Sequence, residues 1–141
     1  MIKYKCKKKS LIQLLALACN SGDIVMSFEP SFVMYEMVAK FTQLNYQGIK
    51  LNDKFEIDLE NTLKAITSNK PKLIFIAYPN NPTGNSFDYE AIKEIIKSTD
   101  SLVVLDEAYY AYSDKSFLAE IVNFSNLVVL RIISKIGFAG L

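Results

Sequence analysis

Apolar residues along this chain gather in short runs, parted by polar stretches that favour turns, and the runs are of two kinds. LIQLLALAC is apolar on almost every face of a helix; Ser10 and Gln13 stand in capping-box spacing at its start, and Gly22 offers a stop. IVMSF has strand length and is closed by Glu29 and Pro30. Ser31 is placed to cap a helix running to about Gln43, and a strand is expected from Tyr46 to Leu51. Asp58 stands before the helical LENTLKAI, and Pro71 before KLIFIAY. Asp88 stands before the helical YEAIKEIIK, LVVLDEAYY contains a strand, FLAEIV reads as a short helix and LVVLRI as a strand. KLIFIAY is continuously apolar, as in strands buried on both faces.

Strands and helices thus take turns, with crossovers long enough for right-handed connections. That order predicts an α/β fold of three layers, αβα, around an open and mostly parallel sheet. Ligands of such sheets collect in the crevice outside the carboxyl ends of the strands. Asn81, Asp106 and Lys135 each stand just past the end of an apolar run, where that crevice is expected.

At 141 residues the chain is one domain at most, half of it apolar, and it has no apolar stretch of bilayer length. Its net charge is +1, but Lys3, Lys5, Lys7, Lys8 and Lys9 crowd the start and leave 11 basic against 15 acidic side chains in the rest. The lysine cluster lacks the interleaved aromatic and arginine residues of a nucleic-acid surface, so residues 1–9 read as a solvated tail. Cys6 and Cys19 have no metal-binding or redox spacing and read as two reduced thiols, making the cytoplasm the default compartment. The chain contains no histidine, which removes Ser-His, Cys-His and histidine-ligated metal mechanisms. Any base must be a lysine, a tyrosine or a carboxylate, and no metal site is expected.

An amide, an acid and an amine at three strand ends suit a pyridine cofactor held as a Schiff base. PNNPTG, residues 79–84, is a rigid turn whose prolines fix their own φ angles, while Gly84 permits a turn that other residues resist. The turn aims Asn81 at a ring hydroxyl, unless it is only a turn. Asp106 suits a ring nitrogen that it keeps protonated, or else caps a helix. Tyr109, three residues on, can share the ring oxygen with Asn81. Lys135 follows an apolar strand in apolar surroundings, and desolvation would free its amine to react; otherwise it snorkels to solvent.

PNNPTG, LVVLDEAYY and LRIISKIGFAGL, in this order and spacing, resemble the large domain of the class I and II aminotransferases, the fold-type I pyridoxal-phosphate enzymes, from about Leu11 to Leu141. The resemblance implies pyridoxal 5'-phosphate as cofactor. It implies that Lys135 joins it covalently and moves the substrate proton, that Asp106 pairs with the ring nitrogen, that Asn81 and Tyr109 bind O3′, and that Ser134 contacts the phosphate. Phe32, in EPSFVMY, falls where the family stacks an aromatic on the ring, though spacing alone fits a core phenylalanine as well. The likeness is greatest to the branch that moves an amino group between glutamate or 2-oxoglutarate and histidinol phosphate, as a homodimer without nucleic-acid or membrane partners. Aromatic or broad-specificity aminotransferases and threonine-phosphate decarboxylase share the same lysine and aspartate.

The chain departs from that pattern in places. Lys7, Lys8, Lys9 and Ser10 stand where the family has a Gly-x-Asp-Glu-like turn that cradles phosphate, and Ile132 stands where relatives often carry threonine. The chain ends at Leu141, just before the family's phosphate-binding arginine. Residues 10–141 are therefore expected to be a partial cofactor domain, truncated at both ends and weak or inactive alone. A non-catalytic remnant, or a fragment that binds a partner subunit, is the reading from another class.

Overall fold

Among the described residues, five strands and three fully described α-helices follow one another in the order expected from the apolar runs. The computed structural model describes Ile12, Ala16 and residues 19–132. The strands are β1 (Ile24–Glu29), β2 (Asn45–Lys50), β3 (Leu73–Ala77), β4 (Leu102–Asp106) and β5 (Leu127–Leu130); the helices are α1 (Met34–Phe41), α2 (Leu59–Asn69) and α3 (Tyr89–Lys97). Every pairing among these strands is parallel, in the spatial order β2-β1-β3-β4-β5. The chain therefore moves from β1 outward to β2, returns past β1 to β3, and continues through β4 to β5. The reversal lies between β1 and β3, and the crevice past their carboxyl ends is the topological switch point where such sheets bind ligands.

Side-chain alternation along the strands sorts the core into two layers. Met26, Phe28, Ile74, Ile76, Val103 and Leu105 face α2 and α3, which contribute Ile66, Ile92, Ile95 and Ile96. Val25, Leu73, Phe75, Ala77 and Val104 face the opposite way, toward Tyr35, Val38 and Ala39 of α1 and toward Ile12 and Ala16, both helical and buried. The three-layer αβα arrangement follows because β3 and β4 are apolar on both sides. Ile92, Ile95 and Ile96, at the i, i+3, i+4 spacing of one helix face, are all but wholly buried, and truncating any one to alanine would cost about 2–5 kcal/mol.

Local sequence signals set two helix starts. The Asp58 carboxylate accepts from the Asn61 N–H at 3.0 Å, and the Asp88 carboxylate from the Ala91 N–H at 2.7 Å, each satisfying a donor that the helix itself leaves over. Gly84 adopts a φ of +75°, as the turn requires. Elsewhere the expectations need correction. Ser31 does not cap α1: the N-cap position is Val33, with no side-chain cap, and the Ser31 hydroxyl instead donates to Asn80 Oδ1 at 3.0 Å. FLAEIV is a 3₁₀ turn over Leu118–Val122, too short to gain from α-helical cooperativity. LVVLRI keeps strand geometry only to Leu130, because Arg131 leaves the ladder for the Glu107 carboxylate. The capping box expected at Ser10 and Gln13 lies outside the described residues.

Candidate active site at the switch point

Strand register brings the ends of β3, β4 and β5 level. Ala77 lies opposite Asp106, which lies opposite Leu130; the Tyr78 N–H donates to the Asp106 carbonyl at 3.0 Å and the Glu107 N–H to the Leu130 carbonyl at 2.8 Å. Alternation along β4 turns the Asp106 side chain, like that of Val104, to the α1 side of the sheet. There it is 1% exposed, and a carboxylate so buried is tolerable only with donors aimed at it. The Tyr35 hydroxyl donates to Oδ2 at 2.7 Å and the Ala108 N–H to Oδ1 at 3.2 Å. The second bond closes a tight turn after the strand and does not cap a helix: the 3₁₀ turn that follows has Tyr109 at its N-cap position, with no side-chain cap. Burial, with the Asp106 carboxylate next in weight, pushes the Tyr35 hydroxyl well above the usual tyrosine value, and Tyr35 serves as a donor.

Tyr35 also holds Phe32. Their rings meet edge to face at 5.6 Å and 81°, while the other side of Tyr35 stacks on Phe75 of β3 at 4.8 Å and 5°. One side chain thus joins two of the expected cofactor residues, the stacking aromatic and the acid. Its signal in the sequence is the i, i+3 spacing from Phe32, which puts both on one side of the entry to α1.

Asn80, rather than its neighbour, anchors the PNNPTG turn. It is buried, donates to the Pro30 carbonyl at 2.9 Å and to Thr83 Oγ1 at 2.8 Å, and accepts from Ser31. Thr83 passes the chain on to the Asn85 side chain, whose amide reaches the Phe55 carbonyl at 2.8 Å. The turn after β3 is therefore tied to the loop after β1 that carries Phe32. Asn81, the residue expected to act, is half-buried, and no hydrogen bond to its side chain occurs among the described residues. Tyr109 is half-buried in the turn after β4. Asn81, Asp106, Tyr109 and Phe32 thus all lie at the carboxyl ends of β1, β3 and β4, whereas Lys135 and Ser134 lie outside the described residues.

A cleft of about 520 Å³ opens on the β2 side of Phe32, walled by Glu29, Tyr46, Lys50 and Pro82. Burial, and after it the carboxylates of Glu29 and Glu36, raise the Tyr46 hydroxyl far above its ordinary value. The Glu29 side chain lies over Gly48 of β2, in the space that a Cβ would take. Among the described residues no three acid, cysteine or histidine side chains group to hold a metal, and no helix is long and apolar enough to cross a membrane.

A doubly wound parallel α/β sheet with a buried acid, an aromatic ring and a rigid asparagine turn at its switch point defines a domain of the ligand-binding α/β class. The chain belongs to the aminotransferase class I and II family, whose model matches residues 5–140. It is 66% identical over 131 residues to the histidinol-phosphate aminotransferase of Vesicomyosocius okutanii subsp. Calyptogena okutanii, covering 93% of this chain and 37% of that protein. Among solved structures it is similar to the histidinol-phosphate aminotransferase of Clostridium acetobutylicum, with a TM-score of 0.78 and 25% identity over 90% of this chain and 38% of the other. The enzyme from Sinorhizobium meliloti in complex with pyridoxal-5'-phosphate matches with a TM-score of 0.79 and 23% identity, over 93% of this chain and 37% of the other. The chain thus spans somewhat over a third of the length of these relatives.

Proposed function

We propose that this chain forms part of the cofactor domain of a pyridoxal-phosphate-dependent histidinol-phosphate aminotransferase. The observation that carries the reading is the Tyr35–Asp106 hydrogen bond at the switch point, with Phe32 packed on the same tyrosine. The donor set suits the cofactor: a buried carboxylate is the partner of a protonated pyridine nitrogen, a half-buried ring offers a stacking face, and Asn81 and Tyr109 offer donors for a ring oxygen. When bound, the pyridinium ring supplies an electron sink for negative charge at the substrate Cα.

The chain's own residues divide the remaining work. Asp106, steadied by Tyr35 and the Ala108 N–H, retains the proton on the ring nitrogen. Phe32 fixes the plane of the ring, Asn81 and Tyr109 orient it through its oxygen, and Ser134 binds phosphate. Lys135 holds the cofactor covalently and then moves the proton at the substrate Cα. Amino transfer from glutamate to imidazole-acetol phosphate, and its reverse with histidinol phosphate and 2-oxoglutarate, is the reaction of the whole protein, which we place in the cytoplasm as a homodimer. The names of the relatives at high identity support that substrate choice.

Addition of pyridoxal phosphate to the purified chain tests the reading. The expected result is a new absorbance band that Lys135→Ala abolishes and Asp106→Asn weakens, with slow or no glutamate-dependent turnover by the chain alone. A chain with no Lys135-dependent band is a non-catalytic remnant, and the reading fails.

A further inference from the structure

Glu107 follows Asp106 directly, points to the other side of the sheet and is 0% exposed. Its Oε1 accepts from the Phe117 N–H at 2.6 Å, and its Oε2 from the Ser116 hydroxyl at 2.9 Å and from Arg131 Nε at 3.0 Å. Arg131 is gripped on two further sides: its Nη2 donates to Ser116 Oγ at 2.6 Å, and its guanidinium lies 4.0 Å over the Tyr110 ring. A planar fork, a carboxylate and a ring face together fix a side chain far more narrowly than a single ion pair does.

Glu107 is wholly buried and needs these donors to offset its lost hydration, while Arg131 keeps an exposed face, so the contacts fix the position of Arg131 more than they stabilise the fold. The location gives that arrangement a use. Of the described strands β5 is one of the two at an edge, four residues long and paired only with β4. Arg131 is the first residue of that exit and stands four residues before Lys135.

We infer that Glu107 and Arg131 form a positioning clamp that fixes where the chain leaves β5, four residues before Lys135, and that this fixing governs how readily the Lys135 amine joins the cofactor whose ring Asp106 binds. The inference rests on the reading of Lys135 and Asp106 given under the proposed function. The Glu107 side chain lies on the side of the sheet away from Asp106 and Tyr35, so the clamp acts on the lysine linkage and leaves ring recognition intact.

Comparing pyridoxal phosphate with pyridoxamine phosphate isolates that effect. Both present the same ring and phosphate, but only the first carries the aldehyde that joins Lys135, so the ratio of their affinities for the full chain reports the lysine alone. Glu107→Gln and Arg131→Met are expected to lower this ratio by about tenfold to a hundredfold, the usual penalty of a misplaced reacting group. Arg131→Lys, which keeps the charge but not the fork, is expected to recover part of it and guards against a variant that fails to fold. Ile95→Val, in the core face of α3 and away from the Glu107–Arg131 contacts, is expected to lower the melting temperature and leave the ratio alone. An unchanged ratio in both Glu107→Gln and Arg131→Lys, or an equal fall in Ile95→Val, overturns the clamp while the proposed function stands. If Lys135→Ala has the same ratio as the parent chain, the proposed function falls and the clamp with it.

Discussion

The Tyr35 hydroxyl in α1 and the Asp106 carboxylate at the end of β4 are joined by a 2.7 Å hydrogen bond across 71 residues of chain. The bond orients the acid, and through the packing of Tyr35 it sets Phe32 as well. Tyr35→Phe keeps the ring stack on Phe75 and removes only the hydroxyl, leaving a buried carboxylate without that donor. A loss of about 1–3 kcal/mol is expected in denaturant unfolding, together with weaker binding of pyridoxamine phosphate. A variant of parental stability and affinity would show that the bond orients nothing.

Alkaline pH should unfold the chain. Tyr35 and Tyr46 ionise well above the ordinary tyrosine value of 10.0, and burial with the Glu120 hydrogen bond pushes Tyr89 up to about 12. Between pH 10 and 12 the unfolded chain therefore loses protons that the folded chain keeps, and stability falls as pH rises. Each such tyrosine steepens the fall by at most about 1.4 kcal/mol per pH unit. Urea midpoints measured from pH 8 to 12 should decline more gently in Tyr35→Phe than in the parent.

Asn80→Ala removes the two donors and the acceptor that fasten the PNNPTG turn to Pro30, Thr83 and Ser31. We expect a loss of about 1–3 kcal/mol, since buried partners are left unsatisfied. Proteolysis within residues 79–85 should also quicken, as the turn opens more often than the sheet. Asn81→Ala, by contrast, should leave unfolding almost unchanged and weaken cofactor binding, and equal stability losses in the two variants would contradict this division of labour.

Gly48→Ala would put a Cβ where the Glu29 side chain now lies. Because the end of a flexible side chain can move, the expected change in stability is below about 1 kcal/mol. The displaced Glu29 carboxylate would act less strongly on Tyr46, whose ionisation, followed by ultraviolet difference absorbance, should shift to lower pH. An unshifted titration would mean that Glu29 does not contribute to the Tyr46 value.

Legibility in the sequence followed the range of each interaction. The Asp58 and Asp88 caps could be read because the donor lies three residues from the acceptor, and β3 and β4 because burial on both faces demands an unbroken apolar run. Asp106 and Asn81 stood out because polar residues at the ends of such runs are few. Ser31 was misread because a serine ahead of an amphipathic stretch can serve either the helix backbone or a distant side chain. Here Asn80, 49 residues away, takes its hydroxyl. Tyr35 meets Asp106 across 71 residues and Arg131 meets Glu107 across 24, separations that no local pattern marks.

The amino-acid order by itself determined the alternation of strands and helices, the parallel sheet, and the strand-end positions of Asn81, Asp106 and Tyr109, because hydrophobic period, caps and turn residues act over a few positions; Phe32 was reached only through the family resemblance. Only the tertiary structure decided that Tyr35 and the Ala108 N–H hold Asp106, that Asn80 ties the Asn81 turn to the Phe32 loop, and that Arg131 leaves β5 for a fully buried Glu107. Each depends on a buried polar group finding its donor or acceptor. Apart from the Ala108 N–H, only two residues beyond Asp106, the partners that satisfy it come from elements brought together when the sheet closes its order β2-β1-β3-β4-β5.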